Sequence, residues 1–274
     1  VLDPGWDAER LLRHVTGWSR AMLLARSEDP LEPAALERYQ ALVARRCGRV
    51  PLPHLTGRQA FWRQDLLVTP DVLVPRPETE LLVECALETL RERKAPRVAD
   101  VGTGGGAVAL ALATERPDAR VVATDVSPAA LLVARENAAR LGLLDRVLLV
   151  RADLLSGVRA VGRGLDLVVS NPPYIGADEL PLLEPEVREH EPRLALVPPG
   201  GDRYEVYERL APQAAARLRP DGALLVEVGS DMAERVRSLC LEAGFADVVL
   251  RRDLAGRERV VAARRKGPRE RDVS

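Results

Sequence analysis

From Arg97 to Ala263 the chain alternates short apolar runs with stretches of helical periodicity, a pattern that few architectures can accommodate. The apolar runs predict strands at Val98–Val101, Val121–Thr124, Val147–Val150, Leu165–Ser170, Leu224–Val228, Asp247–Leu250 and Val260–Ala263. Helices are expected between them at Ala107–Thr114, Ala129–Arg140, Tyr204–Leu218 and Met232–Ala243. Units of this length in this order imply an α/β fold whose parallel sheet is covered on both faces. The last two runs lie closer together, joined by the polar stretch Arg251–Arg257, which suggests a final hairpin onto the sheet.

The segment before Arg97 reads differently. Trp6, Leu11, Leu12 and Val15 keep a helical spacing, as do Ala34, Leu36, Tyr39, Leu42 and Val43, with Pro30 and Pro33 breaking the pattern between them. Residues 4–57 therefore form a small helical bundle that needs a neighbour to lean on. Phe61-Trp62 and Leu66-Leu67-Val68 precede Thr69-Pro70-Asp71, and Val72-Leu73-Val74 follow it, which predicts a β-hairpin turning at the Thr-Pro-Asp. Pro77 suits the first turn of a helix running to about Arg93, and Glu78 and Glu80 complement its positive end. The boundaries expected are 1–57 for the helical domain, 58–75 for the hairpin linker, 76–264 for the α/β domain and 265–274 for a basic, disordered tail.

Composition excludes several function classes. A formal charge of −1 over 274 residues gives no whole-molecule attraction for nucleic acid or an anionic membrane. Cys47, Cys85 and Cys240 are scattered, without a close pair or a histidine at ligand spacing, so neither a disulfide frame nor a metal site is expected. No apolar stretch reaches membrane-spanning length and residues 1–20 carry charges throughout. A cytoplasmic protein without a signal peptide is the expectation. His54 and His190 lie outside every motif and read as packing or surface residues.

Two motifs carry chemistry. Asp100-Val101-Gly102-Thr103-Gly104-Gly105-Gly106-Ala107 follows the first strand of the alternating region and enters a helix, where glycines let the backbone turn sharply and approach a ligand closely. Asp125 ends the next strand at the separation expected of a carboxylate that binds ribose hydroxyls. Gly102, Gly104 and Ala107 also fit the dinucleotide pattern, which brings a nicotinamide enzyme into consideration. Asp100 sits poorly beside a pyrophosphate and better beside an ammonium or sulfonium, as in S-adenosylmethionine. The second motif, Asn171-Pro172-Pro173-Tyr174, closes the fourth strand on the same edge of the sheet. Its prolines stop the strand. The turn then offers the Asn171 amide, the Pro172 carbonyl and the Tyr174 ring to a planar NH2 group. Asp153 and the backbone N–H of Leu154, at the end of the third strand, can pair with an adenine edge.

With these motifs the chain resembles class I S-adenosylmethionine methyltransferases, and more closely the HemK/PrmC family of protein-glutamine N5-methyltransferases. The resemblance runs through Leu55-Thr56-Gly57, Phe61-Trp62 and Val74-Pro75-Arg76-Pro77-Glu78-Thr79-Glu80, the glycine loop, Asp125, and Asp166 through Ile175. It continues in Glu191-Pro192, Ala195-Leu196 and Arg252-Asp253-Leu254-Ala255-Gly256-Arg257. It departs at Leu154-Leu155, where an aromatic residue is often found, in the longer Val197–Gly201 turn, and after Gly229, where a glutamine is common. The Asn-Pro-Pro-Tyr turn is shared with nucleic-acid amino-methyltransferases, whereas Pro-Arg-Pro-Glu-Thr-Glu is far more particular to this family.

The resemblance implies a Rossmann-like class I fold: a seven-stranded, mostly parallel sheet, with a helical N-terminal domain that recognises a protein substrate. It implies S-adenosylmethionine as methyl donor, S-adenosylhomocysteine as product, and the glutamine of the Gly-Gly-Gln motif in class I peptide chain release factors as acceptor. No membrane and no direct nucleic-acid partner are expected. The cofactor residues expected are Asp100, Gly102, Thr103, Gly104, Gly105, Gly106, Asp125, Asp153, Leu154 and Asn171. Asn171, Pro172 and Tyr174 are expected to catalyse, and Pro173 to join them in binding substrate. Three other readings stand beside this one: methylation of a ribosomal-protein glutamine, methylation of an exocyclic amino group in RNA or DNA, and a non-catalytic cofactor-binding protein. The last has no use for a clamp on a target nitrogen.

Overall fold

Asp3 opens the first helix by accepting the Trp6 N–H at 3.0 Å, and Gly17, in the left-handed region, ends it; α1 spans Pro4–Thr16. The structure, a computed structural model, describes residues 3–158 and 164–267. Helices α2 (Arg20–Ala25), α3 (Pro33–Cys47) and α4 (Leu52–Thr56) complete the N-terminal group. Its buried centre is small: Leu11, Leu52 and Leu55, flanked by Tyr39, Leu42, Val43 and Val50. The group leans on the rest of the chain through charge. Arg46 of α3 donates to Asp7 at 2.6 Å and to Glu186 at 3.2 Å, while Arg49 reaches Glu186 at 2.5 Å and Glu184 at 2.8 Å. The Arg46, Asp7 and Glu186 side chains are all less than one-fifth exposed. Arg46→Ala leaves Asp7 largely out of water without its partner, while Glu186 keeps Arg49, and is expected to cost about 3 kcal/mol in a denaturation measurement. An unfolding midpoint equal to wild type would refute that role.

The hairpin forms, but its turn is elsewhere. Strands β1 (Arg58–Phe61) and β2 (Gln64–Leu67) pair antiparallel with Phe61 opposite Gln64, so the chain turns at Trp62-Arg63 and not at Thr69-Pro70-Asp71. Trp62 takes a left-handed backbone, φ 55°, held by its N–H on Glu80 at 2.7 Å and its indole N–H on Glu115 at 2.8 Å. The Thr-Pro-Asp bend exists, with Asp71 N–H on the Thr69 hydroxyl, but it directs Val72 and Val74 against Ala130 and Val133 instead of into a paired strand. Asn137 ties this linker to the glycine loop: it accepts the Leu67 N–H at 2.7 Å and donates to the Leu67 and Gly105 carbonyls.

A short turn at Pro77–Thr79 leads into α5 (Glu80–Leu90). Then come β3 (Arg97–Val101), α6 (Ala107–Glu115), β4 (Arg120–Asp125), α7 (Pro128–Arg140), β5 (Val147–Arg151) and β6 (Leu165–Ser170). Short helices α8 (Pro185–His190) and α9 (Arg193–Leu196) precede α10 (Glu205–Arg217), β7 (Leu218–Glu227), α11 (Ala233–Glu242), β8 (Phe245–Arg252) and β9 (Glu258–Arg265). The sheet order is β5-β4-β3-β6-β7-β9-β8, parallel from β5 through β7, with β9 antiparallel to both neighbours. The terminal hairpin is present, and its second strand is the inner one.

Adjacent residues of a strand face opposite sides, and both sides are covered. Leu167 and Val169 of β6 join the core that includes Leu82, Leu110 and Leu112, while Val168 between them joins the core that includes Leu210, Leu224 and Val236. From β3 the chain winds outward to β4 and β5 and then returns to β6 on the other side of β3. A crevice opens where the winding direction reverses, at the carboxyl ends of β3 and β6. Among the described residues no helix is long and apolar enough to cross a membrane. The expected tail lies mostly outside the described residues, since β9 runs to Arg265 and the description ends at Gly267.

Candidate active site

The glycine loop leaves β3 with Gly102, Gly104 and Gly106 all at positive φ, 70°, 54° and 89°. Gly106 has the largest φ of the three, and a Cβ there would also crowd the Leu110 side chain at 3.0 Å. Gly102 N–H and Thr103 N–H both donate to the Thr124 carbonyl at 2.9 Å, holding the loop against the end of β4. Asp125 fixes the other side: one carboxylate oxygen accepts the Gly104 N–H and the other the Ser127 N–H, each at 2.8 Å. Each oxygen keeps acceptor capacity for a further hydrogen. Burial raises the Asp125 pKa against the pull of these N–H groups.

Asp100 lies beneath the loop, 2% exposed, accepting the Thr103 hydroxyl at 2.6 Å and the Ala109 N–H at 3.1 Å. Burial pushes its pKa up to about 6. It therefore braces the loop and the start of α6 from inside.

Ser170, the last residue of β6, donates its hydroxyl to the Val101 carbonyl at 2.7 Å and so joins the two strand ends. Asn171 follows, with its side-chain NH2 on the Thr79 hydroxyl oxygen at 3.1 Å. Tyr174 packs against the core shared with Tyr207 and Val226, and burial pushes its phenol up to about 12. Arg76 holds the buried Glu191 carboxylate at 2.6 Å, fastening the segment before α5 to the one after α8.

Between these elements lies a cleft that opens to solvent. Of the residues expected from sequence, Gly102, Gly104, Asp125, Asp153 and Leu154 line it from one side and Asn171, Pro172 and Pro173 from the other. Asp100, Thr103, Gly105, Gly106 and Tyr174 are not on its wall; they hold the loops that are. Asp153 is paired with Arg209 of α10 at the rim, and Leu154 takes a left-handed backbone, φ 52°.

The wall also holds residues that sequence reasoning passed over. Val72 and Leu73 arrive from the linker because the expected second strand does not form, Val126 and Ser127 flank Asp125, and Leu194 and Ala195 come from α9. Val126 is an apolar residue directly after the carboxylate that ends a strand, which is the signal in the sequence that could have marked it. Among the described residues no group of His, Cys, Asp or Glu is arranged to hold a metal ion.

The chain is similar to known proteins along most of its length. Residues 1–57 match the family model of the PrmC N-terminal domain, and residues 78–181 match the methyltransferase small domain. The chain is 46% identical over 258 residues to the release factor glutamine methyltransferase of Cereibacter sphaeroides, covering 94% of this chain and 90% of that one. It is 47% identical over 267 residues to the protein of the same description from Moorella thermoacetica, covering 97% and 93%. A methyltransferase structure from Pyrococcus furiosus superposes with a TM-score of 0.57 at 21% identity, covering 82% of this chain and all of that one, and so shares the fold.

Proposed function

The chain belongs to the family of release factor glutamine methyltransferases, and from that premise we propose that its cleft transfers a methyl group from S-adenosylmethionine to the side-chain N5 of the Gly-Gly-Gln glutamine of class I release factors. The residues present fit the donor. Asp125 retains acceptor capacity for a ribose diol, the glycine loop brings backbone close without side chains, and Val126, Leu154 and Leu73 offer an apolar wall to an adenine. Asp153 and the Leu154 N–H are assigned to the adenine edge, with Arg209 holding Asp153 in place. Bound there, S-adenosylmethionine supplies an electrophilic methyl on a sulfonium.

The chain's own task is the acceptor. An amide nitrogen is a poor nucleophile because its lone pair is conjugated with the carbonyl. The Asn171 oxygen and the Pro172 carbonyl accept its two hydrogens, draw electron density toward the nitrogen, and hold it in line with the donor. Pro173 walls the site, and Tyr174 anchors the turn from the core side. No strong base lies in the motif, so positioning and local electrostatics carry the rate; the C–S bond electrons stay on the sulfur, and the proton that the nitrogen sheds once methylated leaves to solvent. The N-terminal helices, fastened through Arg46 and Arg49, are assigned to recognising the protein substrate.

The observation that carries this reading is that Asn171 commits its NH2 to Thr79 while standing on the wall that Asp125 also lines, which leaves its oxygen to accept a hydrogen in the cleft. Incubation with radiolabelled S-adenosylmethionine and, separately, a class I release factor, ribosomal proteins and RNA tests it. Label is expected in the release factor; label in RNA or a ribosomal protein alone would overturn it.

A further inference from the structure

Glycine adopts φ of either sign at little steric cost, so the peptide joining Gly105 to Gly106 is free to turn over unless hydrogen bonds hold it. We propose that Asn137 is a positioning residue that locks this peptide and sets the linker against it, shaping the cleft for S-adenosylmethionine before the donor arrives, an inference that rests on the donor-site reading of the cleft.

Asn137 is out of place in its helix. The buried positions of α7 are Ala130, Val133, Ala134, Asn137 and Ala138, a face that is otherwise apolar. Asparagine is a weak helix former, and its amide is costly to bury unless its hydrogen bonds are made. Asn137 is 2% exposed, and it makes three. Its oxygen accepts the Leu67 N–H at 2.7 Å, and its NH2 donates to the Leu67 carbonyl at 3.1 Å and to the Gly105 carbonyl at 3.0 Å. One partner is a donor and two are acceptors, so only one orientation of the amide fits. The Gly105–Gly106 peptide is thereby held at both ends: its oxygen lies on Asn137, and its N–H, that of Gly106, donates to the Thr103 carbonyl at 2.9 Å. Gly104, one residue earlier, stands on the cleft wall with its N–H on Asp125. Asp125 pins the turn from the cleft side and Asn137 from the side of α7.

Three segments that wall the cleft meet at this amide: the glycine loop with Gly104, the linker with Val72 and Leu73, and α7 with Ala130. Packing at the seam is close, since a Cβ added to Gly105 would lie 3.6 Å from both Val72 and Val133. Those two valines share a small apolar cluster with Val68, Val74 and Ala130. Apolar contact is non-directional and sets no register by itself. The directional bonds of Asn137 supply the register. The far end of the hairpin is held independently, by Trp62 on Glu80 and Glu115 and by Gln64 on the Thr114 hydroxyl at 2.7 Å. Loss of the Asn137 amide should therefore loosen the donor loop and the linker without detaching the hairpin.

The test measures S-adenosylmethionine Kd, kcat at saturating donor and thermal midpoint for wild type, Asn137→Leu and Asn137→Asp. Leu239→Ala, on the buried face of α11, is the control for a general loss of stability. Asn137→Leu nearly keeps the volume and loses all three bonds; Asn137→Asp keeps the acceptor but sets a carboxylate against two carbonyls. Both are expected to raise Kd about fivefold or more, with kcat at saturating donor within about threefold of wild type, because the acceptor turn after β6 is untouched. Leu239→Ala is expected to lower the midpoint with Kd within about twofold of wild type. A rise in Kd smaller than about fivefold in either Asn137 variant, or an equal rise in Leu239→Ala, overturns the positioning role while donor binding by the wild type stands. Failure of the wild type to bind S-adenosylmethionine overturns the donor-site reading as well. If neither Asn137 variant folds, hydrogen exchange on the wild type decides. The Leu67 and Gly106 N–H groups should gain protection together when S-adenosylmethionine binds, and unchanged protection at Leu67 overturns the role.

Discussion

Asn171→Ala is expected to lower methyl transfer by about 10²–10³-fold, the loss seen when a pre-aligned polar contact to developing charge is removed. The side chain supplies one of two acceptors for the substrate amide, and the neighbouring Pro172 carbonyl cannot hold both hydrogens. With one hydrogen bonded the amide is free to rotate, and the nitrogen loses both its polarisation and its line of attack. Asn171 belongs to the β6 end and not to the glycine loop, so S-adenosylmethionine binding should survive. The change should fall on kcat with the donor's dissociation constant nearly unchanged, the pattern of a contact made in the transition state. Asn171→Asp is a sharper variant: it keeps an acceptor but loses the NH2 that Thr79 holds. Turnover near wild type in Asn171→Ala would remove the clamp from the account.

Asp125→Ala is expected to raise the S-adenosylmethionine dissociation constant by about 10–150-fold, which corresponds to the roughly 1.5–3 kcal/mol of hydrogen bonds to a charged group. The carboxylate does two things at once. It holds the Gly104 and Ser127 N–H groups, which fixes the loop, and its remaining acceptor capacity is assigned to the ribose. Removing it leaves two N–H groups without a partner and the donor without its anchor. At saturating S-adenosylmethionine the rate should recover most of its wild-type value, opposite to the Asn171 pattern. Because burial raises the Asp125 pKa, affinity should weaken as acid protonates the group and removes an acceptor. A dissociation constant equal to wild type in Asp125→Ala would refute the assignment.

Most strands and helices of the α/β region lie within a few residues of where periodicity places them, because the central strands β3 and β6 are covered on both faces and read as largely apolar runs. The glycine loop, Asp125 and Asn171-Pro172 were legible for a related reason. They stand at strand ends, and the sequence of strands alone brings those ends to one edge.

What escaped sequence reasoning depends on distant partners. Trp62 has none of the turn chemistry of glycine, asparagine or aspartate, and its left-handed backbone is held by Glu80 and Glu115. Thr79 reads as part of a helix start, and only the turn before α5 brings it to Asn171. Asp100 illustrates the reverse. Its place in the motif suggests contact with the ligand, while its burial and its bonds to Thr103 and Ala109 make it the brace beneath the loop.

The central claim is that this cleft methylates one glutamine side chain. Its most direct measurement is peptide mapping of a class I release factor after incubation with the protein and labelled S-adenosylmethionine, run beside the same factor with the Gly-Gly-Gln glutamine changed to alanine. A single methyl on that glutamine, absent from the altered factor and from reactions with Asn171→Ala, is the predicted result. Label retained on the altered factor, or found on another residue of the native one, would contradict it.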